Sequence, residues 1–191
     1  MNTKQTSALS IKINLQNTTK EKKLLTATQA KKLVGATLIY NALLTNNLAS
    51  TKRAHDKQAK PKQNKKPKCA VDKKPTTIEL TIRLIGNKES ADLNFQYRHK
   101  EGPTNILSFP ATEPEEFAEN YLGDLALCIP LVKKEAREQN KTFAAHLTHL
   151  VIHGTLHCLG YTHDKKLDTN KMENIEIEIM QQLGYDNPYA E

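Results

Sequence analysis

Four histidines, His146, His149, His153 and His157, recur at offsets of 3, 4 and 4, and a fifth, His163, follows three residues after Gly160. That spacing places the first four on one stripe of an α-helix. Gly160 can adopt the positive φ that ends a helix, so HGTLHCLGYTH, residues 153–163, predicts a helix that stops and turns back. His149 and His157 are two turns apart, about 12 Å along the axis at ~1.5 Å per residue, too far to share an ion whose bonds to nitrogen are about 2.0–2.1 Å. Adjacent members of the stripe can share one. The glycine turn selects His153 and His157, because it can return His163 to the same point.

Three imidazoles with a fourth position open are the pattern of catalytic zinc, in contrast to the closed four-ligand structural site. Nickel, copper and iron also accept imidazole, so the expectation is one divalent transition metal per chain, with zinc first. His146 and His149 read as solvent-exposed residues or as outer partners of the ligands. An ion held this way can activate a water for attack on a carbonyl or a phosphate. Proteases of the HExxHxxGxxH type carry a glutamate immediately after the first ligand; here that residue is Gly154, which argues against peptide hydrolysis by that route.

The rest of the chain predicts an α+β fold: a single domain with a small mixed four-stranded sheet flanked by helices and the three-histidine site in a cleft. LSIKINLQN and TIELTIRLIG alternate apolar and polar residues as half-buried strands do. TNILSFP and GDLALCIP supply two short strands ending at prolines. Helical spacing runs from Lys20 to about Leu44, through a short SADLNFQYR, along 131–159 as the longest helix, and through MENIEIEIMQQLGY to Gly184. Cys128 and Cys158 read as core residues. With Cys69 they make an odd number without CxxC spacing, which excludes a disulfide framework or a Cys-rich zinc site.

An apolar fraction of 38% is low for a chain that is globular throughout, and residues 45–75 account for it. They hold ten Lys or Arg against two Asp, a net +8, so with +7 for the whole chain the remainder carries −1. Three prolines and little apolar surface read as a disordered insertion. It divides an N-terminal strand and helical part, 8–44, from a metal-binding part of the same domain, 76–191. The Lys run suits either a tether for phosphate backbone or a solvated insertion. No run of apolar residues spans a membrane and the N-terminus lacks a signal peptide's apolar core, so a cytoplasmic protein is expected.

HGTLHCLGYTH resembles the HGxLHLxGYDH signature of the YbeY family. The likeness extends upstream through LNFQYRHKEGPTNILSFP, LGDLALCIP and KKEAREQ, and downstream to MENIEIEIMQQLGY, about residues 76–185. The resemblance implies a zinc-dependent single-strand endoribonuclease of ribosomal RNA maturation, notably at the 3′ end of the small-subunit RNA, and of ribosome quality control. Its partners would be single-stranded and ribosomal RNA and the small ribosomal subunit. It implies metal ligands at His153, His157 and His163 and a required arginine at Arg98, whose guanidinium can hold a phosphodiester in bidentate fashion. Thr162 stands where the family usually has Asp, leaving Asp164 to take over any contact that Asp made. A hydrolase of peptides or small amides, and a non-catalytic ribosome-associated factor with a structural metal, are the alternatives.

Overall fold

The computed structural model describes residues 10–55, 77–111 and 120–190. Four strands, β1 (Ser10–Asn17), β2 (Thr77–Ile85), β3 (Ile106–Pro110) and β4 (Tyr121–Cys128), form one sheet in the order β1-β2-β4-β3. β1, β2 and β4 run parallel and β3 pairs antiparallel with β4, so the sheet is mixed, as expected. Among the described residues five helices surround it: α1 (Ala27–His55), α2 (Asn87–Arg98), α3 (Ile129–Glu138), α4 (Phe143–Cys158) and α5 (Lys166–Gln182). No helix among the described residues is long and apolar enough to cross a membrane.

Alternation within the strands sorts the core into two faces. Ile11, Leu80, Ile82, Leu84, Leu125 and Leu127 point to one side, where Val34 of α1 and Leu147, Leu150 and Val151 of α4 cover them. Ile85, Leu107, Ala126 and Cys128 point to the other and meet Leu93 of α2. A third cluster joins Ile152 and Leu156 of α4 to Met172, Ile175 and Ile179 of α5. α4 is therefore sandwiched between sheet and α5, which explains its large number of buried residues. Cys128 is fully buried in the core at the end of β4, and Cys158, half-buried, packs against the first cluster. Burial raises both thiol pKa values, Cys158 to about 12 with a further push from Asp124.

The helix boundaries differ from the sequence expectation in three places. α1 starts at Ala27 and not at Lys20, because Lys23 takes a left-handed φ of 61° and Thr26 and Gln29 form a reciprocal cap. It then continues to His55, eleven residues past the expected boundary at 44; the remainder of the basic stretch, 56–75, lies outside the described residues. The single helix expected over 131–159 is two, α3 and α4. Asn140 adopts φ 53°, which a short amide side chain tolerates, and Thr142 restarts the helix by accepting the Ala145 N–H at 3.1 Å. The longest described helix is accordingly α1, at 29 residues.

Candidate metal centre

α4 ends as its glycine requires. Gly160 has φ 90°; its N–H donates to the His157 carbonyl and the Tyr161 N–H to that of Leu156, each at 3.0 Å. This paired-bond turn satisfies the last carbonyls of α4 and reverses the chain. The reversal places the Tyr161 carbonyl 2.8 Å from His157 Nδ1 and stacks the His163 ring on that of His153, centroids 5.0 Å apart. One ring nitrogen from each of His153, His157 and His163 lies within 4.8 Å of the others. The three expected ligands are thus brought together, with His163 exposed and the other two partly buried.

Each of the two helical imidazoles is oriented by its Nδ1. His157 donates from Nδ1 to the Tyr161 carbonyl, and His153 donates from Nδ1 to Glu176 Oε1, both at 2.8 Å. Neither acceptor carries a proton to return, so in both neutral rings Nε2 is left with a lone pair. These two Nε2 atoms face each other at 3.1 Å. Two lone pairs at that distance repel unless a cation lies between them. A tetrahedral ion with bonds of about 2.0–2.1 Å would hold two ligand nitrogens roughly 3.3 Å apart, so the donor set fits a divalent transition metal. Burial, and then the neighbouring His153, lower the His157 pKa and favour the neutral ring a metal requires.

Glu176 was not foreseen from the sequence. It is fully buried on α5 and accepts from His153 at Oε1 and from His149 at Oε2, each at 2.8 Å, and from the Tyr189 hydroxyl. Burial alone would raise its carboxyl, but the hydrogen bonds it accepts from His149 and His153 outweigh burial and hold it at about 2. A signal for it was present: Met172, Ile175 and Ile179 mark the buried stripe of α5, and Glu176 lies on that stripe among apolar residues. A buried carboxylate orienting a ligand histidine is a common outer layer of metal centres. His149 and His146 are therefore partnered and not solvent-exposed, His146 through Glu135 at 2.8 Å.

Gly154 has a structural reason to be glycine. A Cβ there would meet Ile106 Cδ1 at 2.7 Å, Leu125 Cδ2 at 2.8 Å and Ser108 Oγ at 3.0 Å. α4 presses on the sheet at this residue, and any side chain there requires Ile106, Leu125 or Ser108 to shift. Gly154→Ala is expected to cost about 1–3 kcal/mol, the usual penalty of overpacking; urea unfolding that leaves stability unchanged would show that the helix can lift at no cost.

The match to the Endoribonuclease YbeY family model runs over residues 44–184, most of the chain. The chain belongs to the YbeY family. Proteins described as Endoribonuclease YbeY are 54% identical to it over 112 residues in Coxiella burnetii strain Dugway 5J108-111 and 53% over 114 residues in Colwellia psychrerythraea. The first alignment covers 59% of this chain and 74% of the relative, the second 60% and 74%. A solution structure from Thermotoga maritima is 22% identical with a TM-score of 0.49, covering 94% of this chain and 100% of that one.

The YbeY resemblance also singled out Arg98, Thr162 and Asp164. Arg98 is the last residue of α2, exposed, with no side-chain hydrogen bond among the described residues, and it is not among the residues lining the histidine cleft. Its position is nonetheless well defined. His99 ends α2 at φ 55°, and the following loop is tied back by Asn94 to the Gly102 carbonyl at 2.9 Å and Ser90 to the Thr104 carbonyl at 2.7 Å. Thr162 and Asp164 are both exposed, and among the described residues the side chain of neither hydrogen-bonds the ring of His153, His157 or His163; Glu176 and the Tyr161 carbonyl orient the first two rings. A larger cavity, about 630 Å³, lies on the second face of the sheet beside Thr81, Arg83 and Tyr97, away from the histidines.

Proposed function

We propose that this chain cuts single-stranded RNA internally at a divalent-metal centre held by His153, His157 and His163. The observation that carries this reading is the convergence of two pre-oriented Nε2 atoms, 3.1 Å apart, with His163 in a chain of an endoribonuclease family. Zinc is the first choice of metal, and when bound it supplies Lewis-acid activation of water and of a phosphoryl oxygen. The protein's own contribution is preorganisation. Glu176 and the Tyr161 carbonyl hold two ligands in one tautomer and orientation, so little rearrangement is needed when substrate arrives.

Arg98 would bind the phosphodiester. An exposed guanidinium without a competing partner among the described residues can take two phosphate oxygens and offset the charge that builds on phosphorus. Arg98→Ala is expected to lower kcat/KM on a labelled single-stranded RNA by roughly 100-fold or more, as loss of a charge-stabilising donor does. Arg98→Lys should recover only part, since an ammonium cannot bind in bidentate fashion. Metal content should be unchanged in both variants; undiminished cleavage by Arg98→Ala would remove the arginine from the account.

The biological setting we propose is ribosomal RNA maturation in the cytoplasm, at the 3′ end of the small-subunit RNA, and ribosome quality control, with the small subunit as partner. The basic residues of 45–75 would add phosphate affinity. Replacing their lysines by glutamine is then expected to flatten the salt dependence of RNA binding, and an unchanged slope would make the segment a bystander. The peptidase alternative lacks its base, because Gly154 stands where that mechanism places a glutamate. A purely structural metal is disfavoured by a cluster of three donors, one of them exposed, among the described residues.

A further inference from the structure

The cleft beside the histidines is larger than an ion requires. It encloses about 490 Å³ and adjoins the ion position, since His153 and His163 belong to both. Small-molecule sites occupy about 300–1,000 Å³, so the volume suits one nucleotide unit.

One wall of the cleft is Tyr189, which lies past residue 184, where the family match ends. The tail carrying it is fastened down. Lys141 Nζ donates to the Pro188 carbonyl at 2.5 Å, and the Tyr189 hydroxyl donates to Glu176. The ring meets His149 edge-on, centroids 5.3 Å apart at 83°, and stays 40% exposed. An anchored, partly exposed aromatic ring next to a cleavage centre is a platform on which an unpaired base can stack.

Glu135 and His146 also line the cleft and present acceptors. His146, 5% exposed, donates from Nε2 to Glu135 Oε2, and Asn105 Nδ2 donates to the same oxygen at 3.0 Å. In the neutral ring His146 Nδ1 keeps a lone pair, and it is buried without a partner among the described residues. Glu135 Oε1 accepts no hydrogen bond from them either. Burying the His146 acceptor without a donor is unfavourable, and a ligand amino group, with two N–H bonds, can donate to it and to the partly exposed Glu135 Oε1 together.

We propose that this cleft is a subsite for one unpaired nucleobase of the RNA, stacked on Tyr189 and presenting its amino group to Glu135 and His146. The subsite rests on the reading of the histidine centre as RNA-cleaving, and it defines the substrate further: the base beside the cut is adenine, cytosine or guanine in preference to uracil, whose single donor, N3–H, cannot serve both acceptors.

The test measures binding of AMP, CMP and UMP to the metal-loaded full chain by calorimetry, for wild type, Tyr189→Ala and Tyr189→Phe. KM and kcat are measured in parallel on oligonucleotides rich in A, C or U. AMP and CMP are expected to bind about tenfold more tightly than UMP, the effect of one satisfied buried acceptor. Tyr189→Ala should lose about tenfold or more in affinity and raise KM with little change in kcat. Tyr189→Phe keeps the ring but loses the bond to Glu176, and should stay within about twofold of wild type if stacking is the role. A merely structural tyrosine would move both variants alike, and that result, or equal affinity for the three nucleotides, would overturn the subsite. Discrimination among nucleotides without any RNA cleavage would overturn the endonuclease reading and leave the subsite standing.

Discussion

His157→Ala is expected to lose both bound metal and RNA cleavage while keeping the fold. The imidazole supplies one of two Nε2 atoms already aimed at a single point, and its removal leaves His153 and His163 as the remaining ring donors of that cluster. Two ligands hold a divalent ion far more weakly than three, so the loss should exceed the roughly 10–100-fold that removing an outer partner costs. Glu176→Gln provides that smaller comparison. Its amide keeps one acceptor oxygen but no charge, and a decline in metal affinity of about 10–100-fold is expected. His157 is only partly buried at the last turn of α4, so its truncation should leave the unfolding midpoint of metal-free protein nearly unchanged. Metal analysis and cleavage by the same preparations settle the point. A His157→Ala protein that retains one ion per chain would place the metal elsewhere.

Gly123→Ala should be the most damaging single change to stability. Gly123 has φ 138° within β4, a conformation that side-chain-bearing residues rarely adopt, and a Cβ there would collide with the Phe109 carbonyl of β3. The obstacle is backbone on both sides. Relief requires β3 to separate from β4 where Pro110 pairs with Gly123, and β3 forms the part of the sheet on which α4 rests through Gly154. A loss of about 4 kcal/mol or more is expected, in the range that single substitutions reach only through such defects. Urea denaturation measures it, and a loss under about 1 kcal/mol would mean that the strand pair bends with ease.

What was legible in the sequence followed from local rules. Gly160 and Gly184 were identified as helix ends, and both close paired-bond turns at φ 90° and 84°. The three histidines converge because helical spacing and one glycine turn determine their separation over only eleven residues. Features that depend on tertiary contact were harder to read. Glu176 looks like any acid of a charged helix until α5 is packed on α4, and only its place on the apolar stripe of α5 betrays it. The break between α3 and α4 turns on Asn140 and Thr142, two polar residues that a run of helical spacing easily conceals. Gly154 announced the missing glutamate, whereas its packing role depends on Ile106, Ser108 and Leu125, which lie 29 to 48 residues earlier in the chain. Arg98 was singled out by resemblance alone, and no local rule relates the end of α2 to a site on α4.

The most direct test of the central claim is a titration of zinc into chelator-stripped protein, following bound metal and cleavage of a labelled single-stranded RNA in the same samples. The account predicts no cleavage without metal and a plateau at one ion per chain, because His149 and the second face of His153 are already engaged by Glu176. Full cleavage by the stripped protein, or activity that appears only with a second ion, would contradict it.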